Sequence, residues 1–329
     1  MRFGTSSLRE ISVSDILPPK VGISRCLLGA EVRYDGTGAK SSIPHAKLTG
    51  LFDYVDVCPE VAIGMPVPRK PIRIVRDVDV IKVVGSVEDT PDFAPELRQH
   101  AGEFVAQNAD LCGFVFMHNS PSCGSRNVKV YPTKGGPGVR EGQGAFAASV
   151  IQRWPELPFE DAGRLFDDIL RENFVTRVYA YAEWQKMAAE LSAKSIIAFH
   201  SRYKYLLMAH DMVVYKEAGR LLADLSGSGL QEIATKYIGL LMRGLREVAT
   251  RGGHANVLAH IQGYFKKSLS SSARQELAQL IEAYRVGEQP LLVPIALLKH
   301  HLRENPNAYV EMQTYFDPHP QTAALRRSL

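Results

Sequence analysis

Three cysteines carry the chemistry this sequence can do, and each sits where a strand-like run ends. Cys26 follows VGIS, Cys58 follows YVDV, and Cys123 follows FVFMHN by a short turn. If the strands are parallel, loops at their carboxyl ends line one crevice, so residues 32 and 65 positions apart converge there. Three thiolates without an obvious fourth protein ligand fit two chemistries. One is zinc with an open coordination position; the other is a 4Fe-4S cluster with one iron free. Neither follows from spacing alone, since no close pair of cysteines is present. Buried apolar cysteines are the plainer reading of each residue taken singly. The fourth cysteine, Cys112, precedes the Phe114–Met117 run, which puts it at the opposite strand end from Cys123 and makes it a core residue.

The neighbours of the three cysteines strengthen the case for a reaction site on loops. SRCLLGAEVRYDG (24–36) offers Ser24, Arg25, Arg33 and Asp35, with Gly29 and Gly36 to turn the backbone. CPEVAIGMPVPRK (58–70) offers Glu60, Arg69 and Lys70 on a proline-stiffened loop, and SPSCG sets Ser120 and Ser122 beside Cys123. Taken one at a time these read as a surface ion pair, a helix-start acid and turn formers.

The elements that must position these loops alternate in type. Strand-like runs occur at Val21–Ser24, Tyr54–Val57, Val78–Val83, Phe114–Met117 and Val128–Tyr131, with helical periodicity over Asp92–Asn108 and Ala145–Trp154. That is the pattern of an open, Rossmann-like, mostly parallel α/β sheet. The Gly/Pro-rich stretch YPTKGGPGVREGQG (131–144) reads as a long loop or lid, and Leu157–Asp161 as a helix start with helical periodicity to Ser192. From Ser195 the texture is helical: 195–225, 230–249, 255–265, 271–286 and 292–304, broken by stretches such as SGSG and RGG. We therefore expect an α/β domain over 1–190 and an all-α domain over 191–329.

Length supports two domains. The chain has 329 residues, 45% of them apolar and 22% charged, a composition ordinary for a soluble globular protein. No run reaches a membrane span and the opening MRFGTSSLREISVSD lacks a signal-peptide apolar region, so a cytoplasmic location is expected. In a reducing compartment cysteines are ligands, catalysts or core residues rather than disulfides. Residues 195–329 hold 16 Lys and Arg against 11 Asp and Glu, with seven of the ten histidines. This modest excess points toward a polyanion without establishing one. Arg202, Lys204, Lys216 and Arg220 alternate with Tyr203, Tyr205 and Tyr215, a mixture able to hold phosphates and stack on an unpaired base. His200, His210, His300 and His301 are further candidates for phosphate contacts; the plainer reading is a helical bundle with a solvated basic face. HxxxH motifs are absent, and no second metal site is expected.

Together VGISRCLLGAEVRYDG, CPEVAIGMPVPRKP and NSPSCG resemble the thiouracil desulfidase family of the TudS type, over about residues 19–165. AFHSRYKYLLMAH (198–210) and LLKHHLRENPNAYVEMQTYFDPHP (297–320) are similar to the YbgA-like domain. A fusion of the two resembles the RudS-type desulfidases of tRNA 4-thiouridine. The resemblance implies a 4Fe-4S cluster on Cys26, Cys58 and Cys123 whose open iron binds the substrate sulfur, hydrolytic release of sulfide without net redox change, and tRNA as partner. With that chemistry in view, Glu60 is the first choice for general base and Asp35 the second. Ser120 or Ser122 serves the ring carbonyl or water, Ser24, Arg33 and Arg69 contact substrate or balance charge, and Arg202 and Lys204 hold tRNA. The same site admits two other readings: a desulfidase of free thiolated bases or nucleosides, or a non-catalytic metal-containing tRNA-binding protein.

Overall fold

The computed structural model describes residues 18–329 except 79, 87–89, 134, 224 and 226–228; the opening segment and most of the SGSG stretch lie outside it. Among the described residues eight strands form two sheets. The first takes β1 (Lys20–Ser24), β2 (Asp53–Val57), β5 (Gly113–Phe116) and β8 (Phe159–Asp161) in the order β2-β1-β5-β8, all parallel. VGIS and GFVF are buried along their whole length, as strands covered on both faces must be. A Cβ on Gly22 would lie 2.4 Å from the Phe114 ring, so the close approach of β1 and β5 requires glycine there. From β1 the chain steps to β2 on one side, then returns past β1 to β5 on the other. The strand order thus reverses between β1 and β5, whose carboxyl ends lead to Cys26 and Cys123.

The second sheet is mixed. β3 (Ile72–Asp77), β4 (Val80–Gly85), β6 (Val128–Pro132) and β7 (Val139–Gly142) run in the order β4-β3-β6-β7, with β3 parallel to β6 and antiparallel to β4. The sequence reading expects one sheet and a strand over 78–83; instead Val78 has φ 54 and sits in the turn between β3 and β4. Residues 139–142, expected in a loop or lid, pair with β6. Phe159–Asp161, expected to open a helix, extends the first sheet beside β5.

Among the helices, α1 (His45–Leu48) and α2 (Pro59–Ala62) are single turns, while α3 (Ala94–Gln107) and α4 (Ala145–Arg153) pack together. Ala94 of α3, Ala145 of α4 and inward residues of the mixed sheet make a small separate core. Next comes α5 (Asp168–Ala188), capped by Asp167, whose Oδ1 accepts from Ile169 N and Leu170 N at 2.9 and 3.0 Å. It is buried from Arg171 to Tyr181, so it is enclosed on all sides. Against it pack α6 (Ala193–His210) and α8 (Leu230–Arg246); α7 (Met212–Ala223) and α9 (Arg251–Gln262) pack on these, and α10 (Ser271–Val286) and α11 (Leu292–Glu304) on α9, followed by the short α12 (Ala308–Glu311) and α13 (Thr322–Leu325). The single helix expected over 195–225 breaks at Asp211, whose side chain caps α7 by accepting from Val213 N and Val214 N. Residue 190 falls between α5 and α6, yet one apolar cluster runs from Val21 to Leu325.

Candidate functional site

The carboxyl ends of β1, β2 and β5 open on one cavity of about 450 Å³ whose wall contains Cys26, Cys58 and Cys123. Each cysteine arrives there for a local reason. After Ser24 the chain makes a 3-10 turn over Arg25–Leu28, closed by Gly29 at φ 98; the amides of Gly29 and Ala39 both donate to Cys26 O. Cys58 precedes the Pro59 that opens α2, where a missing amide hydrogen is harmless. Cys123 lies in a tight turn whose Ser120 Oγ accepts from Ser122 N at 3.2 Å and Cys123 N at 3.0 Å. Carbonyls of that turn also receive amides from the start of α4: Ala145 N donates to Pro121 O and Ala147 N to Ser122 O.

Burial pushes the Cys26 thiol up to about 11, and the neighbouring Cys58 adds to the shift. Burial raises Cys58 as well, and it drives Cys123 well above an ordinary thiol despite a hydrogen bond with Ser24. Burial disfavours the thiolates; Arg33 beside Cys26 and Arg69 beside Cys58 oppose that, and a bound cationic centre would oppose it further. Three soft sulfur donors on separate loops fit a soft metal centre that keeps one position open, and a 4Fe-4S cluster with one free iron is such a centre.

Beside the thiols stands a fixed carboxylate. Arg69 holds Glu60 Oε2 with two nitrogens, Nε at 2.8 Å and Nη2 at 2.6 Å, and both side chains are largely buried. Arg69 Nη2 also donates to Val32 O, so the guanidinium ties the Cys58 loop to the Cys26 loop. Glu60 Oε1 accepts from Ser122 Oγ at 2.9 Å.

Most of the sequence candidates meet here: Ser24, Arg33, Glu60, Arg69 and Ser120 share the cavity wall with the cysteines. Two take other roles. Asp35 lies outside the wall, because Thr37 captures it from its backbone N and hydroxyl at 3.1 and 2.6 Å and Arg33 stands 3.7 Å away; it is a turn former, not a second acid. Ser122 is fully buried and touches Glu60, so it orients the carboxylate and does not face substrate. The sequence reading misses His118 and Asn119, which line the cavity just beyond β5, and Tyr34. His118 Nδ1 is buried without a partner among the described residues; residues 116–119 read as a strand tail, which hid it.

The helical candidates do not reach this cavity. Arg202 pairs with Glu183, and Lys204 sits over the rings of Tyr205 and Tyr309 at 4.9 and 4.7 Å. Tyr203 and Tyr205 are buried, the former bonded to Glu183, so neither can stack on a base as expected. Burial lowers His200 to about 4, and His301 is buried too; His300, His301 and Glu304 bring ligand atoms within 4.8 Å of one another, a grouping the sequence reading did not anticipate. Cys112 lies at the start of β5, its thiol directed to Gln185 Oε1 at 3.2 Å.

Known proteins match two separate parts of the chain. Residues 21–162 match the family described as 2-thiouracil desulfurase, and residues 204–320 match DUF1722, described as a protein of unknown function. YbgA of Escherichia coli strain K12 is 35% identical over 165 residues, which are 50% of this chain and 95% of YbgA. YbbK of Bacillus subtilis strain 168 is 33% identical over 113 residues, 31% of this chain and 72% of YbbK. A solved structure of the [4Fe-4S]-dependent thiouracil desulfidase TudS is 26% identical, covering 45% of this chain and 93% of its own, with a TM-score of 0.34. No helix among the described residues is long and apolar enough to cross a membrane. The chain belongs to the 2-thiouracil desulfurase family of sulfur-removing enzymes through residues 21–162, and through residues 204–320 to the DUF1722 family it shares with YbgA.

Proposed function

We propose that this protein removes sulfur from 4-thiouridine in tRNA, giving uridine and hydrogen sulfide, with a 4Fe-4S cluster held by Cys26, Cys58 and Cys123. The observation that carries the reading is the meeting of three buried thiols and the Glu60–Arg69 pair in one cavity at the switch point of the sheet. Its volume, about 450 Å³, suits a pyrimidine nucleoside, within the roughly 300–1,000 Å³ usual for ligand sites.

Held by Cys26, Cys58 and Cys123, a 4Fe-4S cluster would supply a Lewis-acidic iron to polarise the thiocarbonyl. The chain's residues do the rest. Glu60, with one oxygen fixed by Arg69 and the other by Ser122, faces the cavity and accepts a proton from water as that water adds to C4 of the ring. The C–S bond then breaks, sulfur leaves as sulfide and takes up the protons, and oxygen remains on C4. Water plus 4-thiouridine thus gives uridine plus hydrogen sulfide, and no electrons are exchanged. Ser120 keeps its hydroxyl hydrogen free to donate, since its oxygen already accepts two amides; it orients the ring carbonyl or the water. Arg33, in the same wall, offsets the negative charge of thiolates and phosphate. Because the cavity lies below the protein surface, the base leaves its stack to enter.

Anaerobic turnover with sulfide detection tests this on thiolated tRNA, 4-thiouridine and free 4-thiouracil. The reading expects kcat/KM to be highest on tRNA. A preference for the free base overturns tRNA as substrate, and a colourless, zinc-bearing protein that releases no sulfide overturns the enzyme. Glu60→Gln should lower kcat by about 10²–10⁴-fold, the usual share of a general base, while iron content stays constant. Full turnover in that variant removes Glu60 from the mechanism.

A further inference from the structure

Next to the cysteine cavity a second hollow of about 310 Å³ opens on the outer face of the mixed sheet. The two share Ile72, Asn119 and Pro121 in their walls, so they form one continuous groove. Strand alternation decides what lines its outer half. Ile72, Ile74, Val128 and Val130 point into the smaller core, and side chains alternate across a strand, so Arg73, Lys129 and Tyr131 point outward. Arg140 on β7 pairs with Lys129 on β6. The parallel register of Ile74 with Val130 and Val75 with Tyr131 sets Arg73 level with Lys129. Arg73, Lys129 and Arg140 therefore make one row across three strands, spanning about 10 Å at ~4.8 Å per strand.

All three are exposed, and the acids of this sheet are engaged elsewhere: Asp77 pairs with Lys82 at 2.6 Å and Glu141 with Arg76 at 2.7 Å. Like charges set opposite one another weaken a sheet, so the row carries a cost that an anionic occupant relieves. Two further contacts point to the occupant. Arg73 lies over the Tyr131 ring, 5.7 Å from its centroid, forming a cationic and aromatic platform. Arg140 Nη1 donates to Asn119 Oδ1 at 2.7 Å, reaching the loop that carries Cys123. Three cations spread over about 10 Å, at ~4.8 Å per strand, are more than one phosphate can meet at once.

We propose that this face holds the phosphodiester backbone of an RNA strand beside the thiolated nucleotide, whose base turns into the cysteine cavity. The proposal rests on the tRNA reading above and adds an RNA contact on the mixed sheet. Arg73, Lys129 and Arg140 contact phosphates, which fixes position without reading sequence, and Tyr131 stacks on a neighbouring base.

The test uses the full chain, a single-stranded RNA oligonucleotide with one central 4-thiouridine, its unthiolated counterpart, and the free nucleoside. In Arg73→Ala/Lys129→Ala, kcat/KM on the oligonucleotide should fall at least tenfold more than on the nucleoside, mostly through KM. Anisotropy of the unthiolated RNA should show the salt slope reduced by about 1.4, since each single-strand phosphate contact contributes about 0.7. Arg73→Lys/Lys129→Arg should restore most of both. If the double variant keeps the wild-type slope and the same ratio of oligonucleotide to nucleoside turnover, the track is overturned while the desulfidase reading stands. If no thiolated compound is turned over, the desulfidase reading fails, and the anisotropy arm alone decides the surface: a lower slope supports it and an unchanged slope overturns it.

Discussion

Cys112 and Cys123 are equally buried, at 5% and 6% exposure, so burial does not separate a core thiol from a ligand; the end of the strand does. Cys112 sits before β5, its thiol donating to Gln185 Oε1, with burial and then Asp110 pushing it up to about 12. Cys123 sits beyond β5 in the wall it shares with two other thiols. Cys112→Ala should keep the wild-type ratio of iron to protein and cost about 1 kcal/mol of stability, as a small core truncation does. Cys123→Ser should lose most of the iron. Metal analysis after anaerobic purification reads both, and iron loss in the alanine variant would make Cys112 a ligand. Strand ends, and with them three cysteines, are legible in a sequence because apolar runs and turn residues mark them. The direction of a side chain within a turn is not. Ser120 and Ser122 look alike in SPSCG, and only the contact with Glu60, 62 positions away, makes Ser122 an orienting group.

The element that fixes Cys123 is the start of α4. The first amides of a helix have no partner inside it, and here the SPSCG turn supplies them: Pro121 O and Ser122 O accept from Ala145 N and Ala147 N, while Gly144 N donates to Gly124 O. Turn and helix approach so closely that a Cβ on Gly144 would lie 2.5 Å from Ser122 C and O and 2.8 Å from Cys123 N, all backbone atoms that cannot step aside. Gly144→Ala should therefore displace the turn, lowering iron occupancy together with Tm. Gly219→Ala, where a Cβ meets nothing within 4 Å, should leave iron occupancy alone and raise stability by about 0.5–1 kcal/mol through helix propensity. Wild-type iron content in Gly144→Ala would show that the turn holds its shape without the helix. Helix α4 is legible from its apolar spacing, but its docking is not, because close approach joins two segments distant in sequence. The same limit hid β3: in PIRIVRD the charges of Arg73, Arg76 and Asp77 leave only a short apolar stretch around the buried Ile74 and Val75.

On the scale of the whole molecule, α5 binds the two parts together. Tyr179 OH donates to Leu51 O, Asn173 Nδ2 donates to Leu245 O, and Glu172 meets Arg326 Nε at 2.6 Å. The basic, histidine-rich texture that suggested a solvated phosphate-binding face is partly interior: His254, His301 and His319 are buried, as is Arg326. That placement has a pH consequence. Burial, joined by Arg326, His210 and Arg251 against the opposing charge of Glu172, lowers His254 to about 3; Tyr315 OH lies 3.0 Å from its Nδ1, and Tyr284 packs on its ring. The folded chain therefore binds fewer protons at His254 than the unfolded chain, whose histidine titrates near 6.5. Its contribution to stability is fully present above about pH 6.5 and declines as pH falls toward 3. Burial pushes Glu172 up, but Arg326 and His319 outweigh it and hold the carboxyl well below its usual range, so its contribution is also lost on acidification, at lower pH. Denaturant unfolding at a series of pH values between 6 and 4 should show stability falling with acid. His254→Gln, which keeps a polar group toward Tyr315, should reduce that slope by about one proton, or ~1.4 kcal/mol per pH unit. An unchanged slope would mean that His254 is protonated within the fold, and that its burial next to Arg326 does not hold it neutral.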